Sequence, residues 1–152
     1  MYERILVPID GSATSQVGLK EAIRLAQLTQ ASLRVIHVVD ELSFALTADA
    51  YRYHAGELLD VTRKNGAKLL EAAVGAARAA GIDADSVLYE NLDRTVHQRV
   101  LDEADNWDAE LIVMGTHGRR GVRRAVLGSS AEAIARGATA PVLLVRAPDG
   151  TS

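Results

Sequence analysis

Short strand-like runs recur along this chain, and each of the first four is followed by a segment carrying helical signals. The runs are Ile5-Leu6-Val7-Pro8-Ile9, Ser32 to Val39, Asp85 to Glu90, Leu111 to Met114 and Pro141 to Val145. Most are apolar throughout, which suits strands buried on both faces. Between them, residues 14–29 carry a helical stripe of Val17, Ala22, Leu25, Ala26 and Leu28. Residues from about 55 to 80 are Ala- and Leu-rich, weakened as a helix by Gly66 and Gly75. Val96, Val100, Ala104 and Trp107 then fall at spacings of 4, 4 and 3, one face of a further helix. Ser129 to about Arg136 makes the last one. Strands alternating with helices predict an α/β fold, an open parallel sheet with helices on both faces.

The punctuation agrees with this division. Pro8 offers no N–H to a ladder and belongs near the C-terminal end of its strand. Asp10-Gly11-Ser12 reads as a turn, and Gly81 as a helix stop. Asp93 is placed to cap the helix that follows it. The run at 85–90 is more polar than the others and is expected at a sheet edge. Residues 40–54, with Phe44, Tyr51 and Tyr53, leave two readings open, a loop or the entry to the long helix. Residues 1–147 are expected to form one domain, with 148–152 as a frayed tail.

Hydrophobic residues make up 48% of the chain but aromatics only 4%, so the core must be built from Ala, Val, Leu and Ile. A net charge of −3 argues against nucleic acid as a partner. No apolar run approaches the roughly 18–20 residues that span a bilayer, so no membrane is expected. The start of the chain lacks a signal-peptide layout. The absence of cysteine excludes disulfides and thiolate metal sites, and fits a cytoplasmic protein.

The chemistry concentrates after the fourth strand, in Gly115-Thr116-His117-Gly118-Arg119-Arg120-Gly121 and onward to Gly128-Ser129-Ser130. A strand, a glycine-rich loop and a helix start, in that order, form a place to hold phosphate. Glycine lets backbone approach an anion, and the free N–H groups and dipole of a helix N-terminus favour its charge. Arg119, Arg120, Arg123 and Arg124 add to that bias. The loop is neither a Walker A motif nor the dinucleotide fingerprint. In an open parallel sheet a ligand is expected beyond the C-terminal strand ends where the winding reverses. Asp10, Val38 and Gly115 onward lie at such ends.

Plainer readings stand beside these. Gly115 and Gly118 would also serve a tight turn. Ser129 and Glu132 form a capping-box pattern, Asp10 could make an Asx turn with Ser12, and the arginines could be a solvated face. His117 reads as an exposed loop residue, and His37, His54 and His97 as structural or solvent-facing. Trp107 reads as core.

Taken together, Gly115-x2-Gly118-x9-Gly128-Ser129, the opening Val7-Pro8-Ile9-Asp10-Gly11-Ser12, Ile36-His37-Val38 and the closing Pro141-Val142-Leu143-Leu144-Val145 resemble the ATP-binding branch of the universal stress protein family. The resemblance spans the chain apart from residues 40–60. It implies a Rossmann-like sheet of order 3-2-1-4-5 and a homodimer through Val142, Leu143, Leu144 and Val145. The last strand, unbroken and apolar, would at a sheet edge also need covering. The resemblance further implies ATP, with Mg or Mn carried by the phosphates. Asp10, after Pro8 and Ile9, would lie near ribose or adenine. Val38 would offer backbone groups to adenine. Met114, Gly115, Gly118, Arg119, Gly128, Ser129 and Ser130 would line the rest of the nucleotide. The expected role is regulatory, in a stress response. A slow ATPase and a nucleotide-independent interaction module are the alternatives, since no residue reads as a water-activating base.

Overall fold

The computed structural model describes residues 1–39, 55–90, 93–116 and 128–147. Along the chain run β1 (Arg4–Pro8), α1 (Ala13–Thr29), β2 (Ser32–Val38), α2 (Ala55–Ala79) and β3 (Ala84–Tyr89). They are followed by α3 (Val96–Asn106), β4 (Leu111–Gly115), α4 (Ser129–Gly137) and β5 (Val142–Val145). The strands form a 5-stranded sheet of order β3-β2-β1-β4-β5. Every pairing is parallel. This is the α/β architecture and strand order expected, with the polar β3 at one edge and β5 at the other.

The period of two along each strand divides the core. Ile5, Val7, Leu33, Val35, Leu111 and Val113 pack against Leu19, Ala22 and Ala26 of α1 and Leu70, Ala73 and Ala77 of α2. Leu6, Ile36, Ile112 and Met114 point the other way, to Val100 and Ala104 of α3 and Ala131 and Ile134 of α4. Burial of each large aliphatic side chain contributes roughly 1.5–3 kcal/mol. Alanines on the helix faces replace the missing aromatics and let the helices lie close to the sheet.

The helix ends correct one expectation. Asp93 does not cap α3. Thr95 does, in a capping box with Gln98: its hydroxyl accepts from the Gln98 N–H, and the Gln98 side chain accepts from the Thr95 N–H at 2.9 Å. Asp93 lies too early for that reach and instead accepts from Arg99 at 3.4 Å. Ser12 caps α1, accepting from the Ser15 N–H at 3.1 Å. Gly81 closes the turn after α2 at φ +83°, as its position in the sequence suggested.

Residues 55–60 begin α2. Residues 40–54, including Phe44, Tyr51 and Tyr53, lie outside the described residues, as does the tail 148–152. Trp107 is partly buried against the second core cluster, with the Arg34 guanidinium 4.6 Å above its ring. Among the described residues no helix is long and apolar enough to cross a membrane.

Candidate functional site

With β1 and β4 adjacent at the centre of the sheet, the winding reverses between them. The chain leaves β1 for α1 on one face and leaves β4 for α4 on the other. A crevice at such a point is open to a ligand from the C-terminal strand ends. Pro8, Ile9 and Asp10 close β1 on this side of the sheet. Val38 closes β2, Met114 and Gly115 close β4, and Gly128, Ser129 and Ser130 open α4. Gly118 and Arg119, with His117, Arg120, Arg123 and Arg124, lie outside the described residues.

The β1–α1 turn is held by its own polar groups. Asp10 Oδ1 accepts from the Ser12 N–H at 2.9 Å, the Asx turn that the sequence allowed. Gly11 sits at φ +83°, where an L side chain is strained. The Ser15 hydroxyl donates to the Ser12 carbonyl at 3.0 Å and accepts from the Asp10 N–H at 3.4 Å. Ser12, Thr14 and Ser15 are all buried, so this polar knot is sealed beneath the turn.

β1 and β2 cease pairing at Pro8 and Ile36, where the Ile9 N–H donates to the Ile36 carbonyl at 2.9 Å. Val38 therefore lies beyond the last β1–β2 pair. The Ile9 carbonyl accepts a side-chain donor from β2, His37 Nδ1, at 2.8 Å. His37 is buried, resolving the open reading of this histidine in favour of structure.

Gly115 has a packing reason. A Cβ built there would lie 2.6 Å from the Thr14 carbonyl oxygen. Gly18, one helical turn further along α1, faces back: its Cβ would lie 3.0 Å from the Gly115 nitrogen. Two glycines thus let α1 press on the end of β4. Sequence reasoning singled out Gly115 and missed Gly18 and Thr14. A glycine inside an otherwise helical stretch was the available signal.

The start of α4 corrects a second expectation. The N-cap is Gly128, with no side-chain capping bond, and Ser129 already belongs to the helix. A capping box from Ser129 to Glu132 is therefore not formed, because Ser129 sits one position too far in. Glu132 instead accepts from Arg136 one turn on. Gly128 is tied to the end of β4, its N–H donating to the Thr116 carbonyl at 2.9 Å. The first N–H groups of an uncapped helix suit an anion. Thr116 is buried, and its Oγ1 has no hydrogen-bond partner among the described residues. An orphaned buried hydroxyl beside an uncapped helix start fits a polar ligand there. No group of three or more His, Cys, Asp or Glu able to hold a metal occurs among the described residues.

At the opposite, N-terminal end of the strands lies a cleft of about 530 Å³, lined by Glu3, Arg4, Asp83, Asp85 and Trp107 among others. Its carboxylates do not suit phosphate. Nearby, Arg34 joins Asp85 by two bonds of 2.8 Å and Glu103 by another. The Arg34 guanidinium is held more firmly protonated than usual, chiefly by Asp85. Tyr89 donates to the other oxygen of the buried Glu103. Its phenol is pushed up to about 12, first by burial and then by that bond.

The model of the universal stress protein family matches residues 1–146. The universal stress protein YxiE of Bacillus subtilis is 34% identical over 151 residues, covering 96% of this chain and 100% of YxiE. The crystal structure of a universal stress protein family member from Burkholderia pseudomallei is 30% identical, with a TM-score of 0.75. It covers 96% of this chain and 97% of that one. The universal stress protein from Archaeoglobus fulgidus, solved in complex with dAMP, is 24% identical with a TM-score of 0.64. It covers 94% of this chain and 97% of that one.

Proposed function

We propose that this chain, which belongs to the universal stress protein family, holds ATP as a regulatory ligand in a stress response. The observation that carries the reading is the uncapped start of α4, tied through Gly128 to the end of β4 at the point where the sheet reverses. Phosphates would sit at Gly128, Ser129 and Ser130, with Gly118 and Arg119 as the further contacts that the family resemblance implies. Asp10, with Pro8 and Ile9 behind it, would lie near the ribose or adenine, Val38 would offer backbone groups to the adenine, and Met114 and Gly115 would line the rest of the nucleotide. The Archaeoglobus fulgidus protein, solved with dAMP, supports an adenine nucleotide over another phosphate compound. Mg or Mn would arrive on the phosphates, as the family resemblance implies.

The reading includes residues 1–147 as the nucleotide-holding domain, a cytoplasmic setting, and a homodimer. β5 is the outermost strand beside β4, and Leu143 on it is 36% exposed. Pairing β5 with the same strand of a second copy would cover that edge through Val142, Leu143, Leu144 and Val145.

The test is binding of labelled ATP to the chain and to two variants, Gly118→Phe and Asp10→Ala. The reading expects saturable binding by the unaltered chain, abolished by Gly118→Phe and weakened by Asp10→Ala. Equal binding by all of them would contradict it.

A further inference from the structure

The peptide unit joining Ile9 to Asp10 is held from both sides. Its N–H, belonging to Asp10, faces the Ser15 hydroxyl at 3.4 Å. Its carbonyl, belonging to Ile9, accepts from His37 Nδ1 at 2.8 Å. A carbonyl can only accept, so His37 carries its proton on Nδ1. The imidazole is buried and cannot swing away to water. It is also backed by α2. A Cβ at Gly66 would lie 2.8 Å from His37 Cδ2 and 3.2 Å from Nε2. Glycine at this point of a long helix costs helix stability, and the space it leaves is the space the ring occupies.

We propose that His37 is the positioning residue of the nucleotide site, with Gly66 as the gap that seats it. His37 fixes the Ile9 carbonyl, which orients the Ile9–Asp10 peptide plane and so aims the Asp10 carboxylate and the Gly11–Ser12 turn. His37 does this without touching the nucleotide. The inference rests on the proposed nucleotide reading for its consequence, and on the loop geometry alone for its cause. Seating of α2 therefore governs recognition of the nucleoside half of the ligand. The phosphate half, at α4 on the opposite face of the sheet, does not depend on it.

The experiment compares His37→Leu, which fills the space without a donor, with His37→Asn, whose side-chain amide can occupy the place of Nδ1. Gly66→Ala crowds the native ring and serves as a third variant. Affinities for ATP and for inorganic tripolyphosphate are measured in each, together with hydrogen exchange of the Ser12 amide in the nucleotide-free protein. Loss of one such bond predicts about tenfold weaker ATP binding by His37→Leu. Gly66→Ala should weaken ATP binding in the same direction. His37→Asn should stay close to the unaltered protein, and tripolyphosphate should bind all of them alike. The Ser12 amide should exchange faster in His37→Leu and not in His37→Asn. If His37→Leu and His37→Asn weaken ATP equally, or if tripolyphosphate weakens as much as ATP, the proposal is overturned. If the unaltered protein binds no ATP, the nucleotide reading fails instead, and the Ser12 exchange still decides whether His37 sets the loop.

Discussion

The end of β4 rests against the first turn of α1 so closely that a Cβ on Gly115 would stand 2.6 Å from the Thr14 carbonyl oxygen. Backbone cannot retreat from that contact as a flexible side chain would. Gly115→Ala must therefore push α1 and β4 apart. The expected cost is about 1–3 kcal/mol, the usual range for overpacking. Urea unfolding monitored by circular dichroism measures it. An unchanged midpoint would mean that the contact is looser than its geometry implies.

Gly66 and Gly75 look alike in the sequence, both weakening the same helix, yet their surroundings differ. A Cβ at Gly75 meets nothing within 4 Å, whereas one at Gly66 meets the His37 ring. Gly75→Ala should stabilise the protein by about 0.5–1 kcal/mol through helix propensity alone. Gly66→Ala should destabilise it. Thermal unfolding of the pair checks this, and shifts of the same sign in both would refute it.

The general layout of the fold was legible because its causes are local and periodic. Ile5 to Ile9 and Leu111 to Met114 read as buried strands, and Gly81 as a stop, from residues within a few positions. The caps were harder. Ser129 and Asp93 have the right chemistry, but the helix starts turn on a shift of one or two residues, which Gly128 and Thr95 decide. What joins distant segments left no local trace. The Tyr89–Glu103–Arg34 network spans β3, α3 and β2, and Gly18 and Gly66 find their partners on other elements. Of the candidate site, the places of Asp10 and Gly115 at strand ends and of Gly128 at a helix start were recognisable from a pattern. Thr116, with its buried hydroxyl, was hidden in the same loop.

Thr116 supplies a prediction of its own. Its hydroxyl is buried without a partner among the described residues, and such a group lowers stability. Thr116→Val keeps the shape and removes the orphan, so the nucleotide-free protein should hold its stability or gain about 1 kcal/mol. Nucleotide affinity should fall if that hydroxyl meets the ligand. Calorimetric unfolding with and without ATP separates the two effects. A clear loss of stability without nucleotide would show that the hydroxyl already has a partner.

Tyr89 predicts how stability depends on alkaline pH. Burial, and then the bond to Glu103, push its phenol up to about 12, above the ordinary tyrosine value of about 10. Between those values the folded chain keeps a proton that the unfolded chain has lost. Stability is then at its full value below about pH 10 and falls as pH rises towards 12. Tyr89→Phe should remove this part of the decline. Urea midpoints taken on both sides of pH 10 would show it, and parallel pH profiles for the two proteins would contradict it.

The proposed dimer turns on β5. Leu143 is 36% exposed on the outermost strand, so Leu143→Arg places a charge in the proposed interface while leaving the core behind it intact. Sedimentation should show a dimer for the unaltered chain and a folded monomer for the variant. A monomer in both cases would remove β5 as an interface.

The nucleotide itself is the centre of the account. Titration of the purified protein with ATP and magnesium, following bound nucleotide and free phosphate in the same samples, tests it most directly. The account predicts saturable binding of one nucleotide per chain with no steady release of phosphate. Absence of binding at millimolar ATP would contradict it, leaving the uncapped start of α4 and the glycines before it as architecture alone.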